Sequence, residues 1–200
     1  MNLSTKLDAV NVMLSIIGEA AVNSLSSGLL DAETAETILD NITRSVQSTG
    51  WSFNEEIGYT LSPDSKGHLN LPANCVRVDL SQTESKYRNS TFDYVQRGSK
   101  LYDKINHTYV ISDPVVVDMI VLLDFEELPE AARRFITIRA GRSFQERLVG
   151  SDTLSSLTAD DENTAWLDLL HAESDVNDHN IFDDSSVSRV VNRSITNRIF

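Results

Sequence analysis

The chain has 200 residues, 40% of them hydrophobic, a formal net charge of −13 and a single cysteine. This is enough apolar material for one sizeable core or two small ones, and it leaves no intramolecular disulfide framework. The acidity argues against nucleic-acid binding unless the basic residues gather on one surface, and no signal-peptide pattern or bilayer-length apolar run is present, so a cytoplasmic product without a membrane partner is expected.

Leu7, Val10, Leu14 and Ile17 form a first helical stripe, opened near Ser4 or Thr5 and closed by Gly18. Residues 19–30 give a second helix room to fold back antiparallel. Asp31 is placed to cap that helix, with Glu33 in its first turn. Ala35, Ile38, Leu39, Ile42 and Val46 make its apolar face, and Gly50 supplies a left-handed stop. Trp51 and Phe53 alternate with polar neighbours, so an extended backbone would point both to one side, where helical and β parts meet.

The pattern then changes period. Glu56 to Leu61, Val76 to Leu80, Phe92 to Arg97 and Lys100 to Asp103 read as short strands, separated by Pro63, Asp64, Gly67, Pro72 and Asn74. Gly98 stands at the first central position of a two-residue hairpin turn of type II′. Val115 to Phe125 is the longest β-type run and is expected as a central strand covered on both faces. Pro129 restarts helix. Ala132, Ile136, Ala140, Phe144 and Leu148 form a four-residue row, widened by Phe135 and Ile138. Arg133, Arg134, Arg139, Arg142 and Arg147 make this helix the only strongly basic segment. After Gly150, Ser151 or Asp152 caps a last helix running to about Val176. Leu154, Leu157, Ala165, Leu169 and Ala172 line one side of it, and Asp160, Asp161, Glu162, Asp168 and Glu173 make it acidic.

From Asn177 onward the character shifts again. Arg189, Arg193 and Arg198 follow the last acid, Asp184, without compensation. Ile181, Phe182, Val187, Val190, Val191, Ile195, Ile199 and Phe200 are too many apolar residues for a solvating tail. An arm that orders on a partner is the expectation.

Little of this is catalytic. There is no Gly-rich phosphate loop, HExxH or CxxC pair. Asp175 to Asn180 resembles the start of a calcium loop but lacks its glycine and closing glutamate. His68, His107, His171 and His179 read as surface residues, and Cys75 as a buried structural thiol. No cofactor and no metal are expected. Paired carboxylates are the only catalytic constellation available, with Glu55/Glu56 and Glu126/Glu127 as the acid–base candidates. Neighbours in a strand face opposite ways, so each pair would have to split and combine with the other.

Three stretches carry a family likeness: NITRSVQSTGWSFNEEIGYTLSPD, FDYVQRGSKLYD and DFEELPEAARRFITIRAGRSFQERLVGS. In this order and spacing, over roughly residues 7–175, the chain resembles the tail tubular protein A family, the head-to-tail adaptors of short-tailed bacteriophages. The resemblance implies a structural, non-enzymatic virion tail component made in the host bacterial cytoplasm. It implies a twelve-subunit ring that joins the portal protein to the tail nozzle protein, with tail fibres as further possible partners. DNA would pass through the lumen without specific binding, which an acidic wall suits. Glycan hydrolysis has also been proposed within this family and stands as the alternative.

The basic helix followed by an acidic one then has three readings. They are an antiparallel hairpin with exposed ion pairs of less than about 1 kcal/mol each, charge complementarity between ring neighbours, and contact with phosphate. The interface residues expected are Arg133, Arg134, Arg139, Arg142 and Arg147, with Ile181, Phe182, Arg189, Arg193, Arg198 and Phe200 of the arm. The fold class expected is α+β. Residues 1–54 form a helical hairpin, 55–127 a small, mostly antiparallel β domain, 128–176 a second helical hairpin completing the bundle, and 177–200 an extended C-terminal arm.

Overall fold

The computed structural model of the chain describes residues 4–81, 92–148, 150 and 152–176. Its class is α+β: helices from both ends of the chain enclose small antiparallel sheets.

Helix α1 (Lys6–Ile16) opens on a reciprocal cap at Thr5. The Thr5 hydroxyl accepts from the Asp8 N–H at 3.1 Å, and the Asp8 carboxylate accepts from the Thr5 N–H at 3.0 Å. Its buried face is Ala9, Val10, Met13 and Leu14, while Leu7 and Ile17 stay half-buried at its edges. Helix α2 (Leu30–Gln47) begins two residues earlier than a cap at Asp31 would place it. Leu29 occupies the cap position without a side-chain bond. Asp31 is instead an acid inside the first turn, where the helix dipole favours it.

Gly50 has φ +89°, and a Cβ there would stand 2.5 Å from Cδ1 of Ile120. The stop is therefore also a close approach between the helical part and the sheet. Beyond it the backbone does not extend. Residues 51–54 turn, with the Asn54 N–H donating to the Trp51 carbonyl at 3.0 Å. Trp51 and Phe53 still reach one side, their rings stacked at 6.2 Å, but a turn brings them there.

Five strands follow: β1 (Glu55–Leu61), β2 (Cys75–Leu80), β3 (Tyr94–Arg97), β4 (Lys100–Asp103) and β5 (Val115–Val121). The sheet order is β1-β5-β2, all antiparallel, and β3-β4 is a separate hairpin whose Gly98 has φ +62°. Phe92 lies before β3. β5 is the central strand, though it ends at Val121 and Phe125 belongs to a 3₁₀ turn. Its cover is uneven. Val115, Val117, Met119 and Val121 are buried in the β core with Leu61, Leu69, Leu71, Leu101 and Ile111, whereas Val116 and Asp118 are only half-buried. β1 is exposed along Glu55–Thr60, and a bulge at Gly58 (φ +73°) breaks its register against β5.

Helix α3 (Glu130–Leu148) is the hub of the helical part and packs against α1, α2 and α4 (Asp152–Val176). Ala132, Ile136, Ala140 and Phe144 are fully buried, but the row stops there, because Leu148 lies 47% exposed in the last turn. Gly141, beside the row, lets α1 approach: a Cβ there would stand 2.6 Å from Cδ1 of Ile16. From α4, Ala165 and Leu169 enter the core, and Trp166 meets Trp51 edge-on at 5.6 Å and Phe135 at 5.1 Å.

Candidate assembly surfaces

Two buried amides join the helical and β parts. The Gln47 side chain donates to the Leu123 carbonyl at 3.0 Å and accepts from the Leu123 N–H at 2.8 Å. Asn54 donates to the carbonyls of Gln47 and Val121, at 3.0 and 2.9 Å, and accepts from the Trp51 N–H. The end of α4 is tied to the same junction, since Ser52 gives its N–H and hydroxyl to the Glu173 carboxylate at 2.7 and 2.9 Å. Sequence periodicity does not mark these residues. The available hint is spacing: Gln47 lies four residues beyond Thr43 and eight beyond Leu39, on the buried side of α2.

The basic helix separates into one internal arginine and an outer row. Arg133 is 4% exposed, and its guanidinium donates to the carbonyls of Leu128 at 2.7 Å and Ser4 at 2.6 Å. It pins the start of α1 to the start of α3 and offers no surface to a neighbour. Glu130 completes this tie by accepting from the Ser4 hydroxyl and N–H, which holds its carboxyl below the ordinary range.

Arg134 reaches Asp168 at 2.8 Å, Arg142 reaches Glu162 and Glu146 at 3.0 Å each, and Arg139 approaches Glu162 at 3.8 Å. The Glu162 hydrogen bond, helped by Glu146, raises the Arg142 pKa further. The charges on α3 and α4 thus meet within one chain, as an antiparallel hairpin requires. Arg147 is exposed in the last turn of α3, where a cation suits the dipole. The arm residues Ile181, Phe182, Arg189, Arg193, Arg198 and Phe200 lie outside the described residues, as does His179.

The carboxylate pairs are dispersed. Glu126 accepts from the Lys6 N–H at 3.1 Å and Glu127 from the Asp124 N–H at 3.2 Å, so both serve backbone ends. Glu55 and Glu56 lie exposed on β1, opposite Ile120 and Met119. Cys75 is half-buried, and burial raises its pKa, which fits an unreactive thiol. Among the described residues no group of three or more His, Cys, Asp or Glu is arranged to hold a metal ion. No helix among them is long and apolar enough to cross a membrane.

The described surface also carries apolar groups beside its acids. On β1, Ile57 is 65% and Tyr59 44% exposed; on α4, Leu167 and Leu170 face outward among acids. Such a surface suits assembly more than turnover. A profile of the tail tubular protein family matches residues 7–179. The chain belongs to that family. It is also similar to tail tubular protein A of Klebsiella phage KP34, 30% identical over 131 residues that make up 66% of each chain. The matched stretch is therefore just under two thirds of that relative's length. Membership of the tail tubular protein family makes the chain a structural component of a phage virion tail.

Proposed function

We propose that the chain is the subunit of a head-to-tail adaptor, a twelve-membered ring that seats the tail nozzle on the portal and encloses part of the DNA ejection path. The observation carrying this reading is the family match across residues 7–179, nearly the whole described chain. Charge supports it. With the α3 arginines largely engaged by α4 and Arg133 buried, the net charge of −13 leaves an acidic exterior suited to a wall along which DNA slides without sticking. The subunit is made in the host cytoplasm and assembles into the virion. The exposed apolar groups of β1 face the nozzle or tail fibres, and the arm from Asn177 to Phe200 grips a ring neighbour or the portal.

The deciding measurement is the mass of the purified protein in solution, alone and with portal rings. A ring formed alone, or a monomer that joins portal in ring stoichiometry, is the expected result. A monomer indifferent to portal would overturn the proposal. Deleting residues 181–200 is expected to abolish assembly while leaving a folded monomer.

A further inference from the structure

An apolar notch of about 140 Å³ opens where the end of α4 meets the helix–sheet junction, lined by Ser52, Phe53, Pro129, Leu169, Ala172 and Val176. Its floor is Leu169, 2% exposed, and one wall is Phe53, whose ring lies stacked on Trp51. The polar groups at its rim are already engaged, because Ser52 and Glu173 bond to each other through two contacts. An apolar hollow of about 150 Å³ is large enough to take a benzene ring, so the notch is sized for a single aromatic or branched side chain.

The sequence beyond the rim contains such side chains. Val176, 70% exposed, lines the notch and closes α4. Four polar residues with turn-forming chemistry follow, Asn177-Asp178-His179-Asn180, and then Ile181-Phe182. The five steps from Val176 to Ile181 reach at most about 17 Å, enough for a reversal but too short to wander far. We propose that the notch receives the chain's own Ile181–Phe182, with the Phe182 ring against Phe53 and Leu169. The arm then has two parts. Ile181–Phe182 anchors its root on the junction, and the stretch from Asp183, with Arg189, Arg193 and Arg198, is the part aimed at a partner. The anchor deepens the adaptor reading, which supplies that partner, yet it can be tested on the isolated full-length chain without portal.

Cysteine trapping is the test. In a C75S background, A172C/F182C is compared with A172C/V191C, whose second cysteine sits on the outer arm. An anchored arm closes the first pair within one chain at low protein concentration, at least about tenfold faster than the second, through its higher effective concentration. Disulfide-linked dimers as the main product would assign the notch to a second copy and overturn the proposal. Equal rates for the two pairs would overturn it too. As a check free of engineered thiols, F182S is expected to lower the Tm of the isolated chain and V191S to leave it in place; equal Tm values would again sink the anchor. An anchored chain that ignores portal would refute the adaptor and leave this inference standing.

Discussion

The helical and β halves of this subunit hold their shapes by different physics. In the helical half, α3 presents Ala132, Ile136, Ala140 and Phe144 as a dry row, with Gly141 admitting Ile16, so order follows from filled volume. The β half has a smaller core on one side of its sheet, and β1 leaves Glu55–Thr60 exposed. Its turns are instead wired by carboxylates. Asp64 accepts from the N–H groups of Lys66 and His68 and the amide of Asn70. Asp103, itself buried, accepts from Ile105 and from both N–H groups of Asn106. One half should therefore respond to changes of volume and the other to changes of protonation.

The largest effect expected is on the volume side. Phe144→Ala should cost about 3–5 kcal/mol in chemical denaturation, because Phe144 is fully buried beside helices that cannot collapse onto the gap. A loss below about 1 kcal/mol would mean that the helical half is not held by packing.

Next comes the junction. Asn54→Ala removes the acceptor of the Trp51 N–H and a donor to the carbonyls of Gln47 and Val121, of which Gln47 keeps the Gly50 N–H; the buried Trp51 N–H left unpaired costs about 1–3 kcal/mol. The expected calorimetric signature is a single transition that broadens or splits in two, since Asn54 bonds to both halves. A sharp single transition at the original Tm would show that the halves are coupled elsewhere.

A third experiment addresses protonation. The hydrogen bond from the His68 N–H, with those from Asn70 and Lys66, lowers the Asp64 pKa from 3.8 to about 2. Burial opposes the Asp103 charge, but the bonds from Asn106 and Ile105 outweigh it and its pKa is lowered as well. A depressed folded-state pKa stabilises fully above the unfolded value of 3.8 and is lost as the pH falls through about 2. Amide exchange, taken relative to the intrinsic rate, should thus accelerate first around residues 64–70 over that window, and around residues 103–108 as the pH falls below the ordinary aspartate range, ahead of α3. Asp64→Asn should flatten the response near residues 64–70. Uniform acceleration across both halves would erase the distinction.

The smallest effect belongs to the charged hairpin. A double-mutant cycle on Arg142 and Glu162 is expected to return less than about 1 kcal/mol, because both side chains keep access to water.

Much of the fold was legible in the sequence, for reasons particular residues make plain. Thr5 and Asp8 sit three apart before an apolar stripe, and a helix start needs only that local spacing. Gly98 between two alternating runs specifies its hairpin because the turn geometry is contained in two residues. The family likeness was legible too, since it lies in ordered local stretches. Where reading failed, local spacing left more than one outcome open. An acid can cap a helix or sit in its first turn, and Asp31 took the second place. Leu148 fits its row by spacing, but it stays 47% exposed, with no element among the described residues covering it.

The tertiary structure alone decided which polar residues became internal. Arg133 is one of five arginines on α3; its spacing three before Ile136 and seven before Ala140 sets it on the apolar side, away from Arg134, but only the approach of Ser4 and Leu128 gives its guanidinium carbonyls in place of water. Gln47 and Asn54 read as ordinary polar residues at a helix end and a turn until β5 and Leu123 arrive to complete their bonds. Most elements, the Thr5 cap and most of the apolar faces were readable without the fold, because they depend on neighbours a few residues away. The junction, the buried arginine and the apolar notch depend on groups brought together from 67 to 129 positions apart, and only the folded chain holds that information.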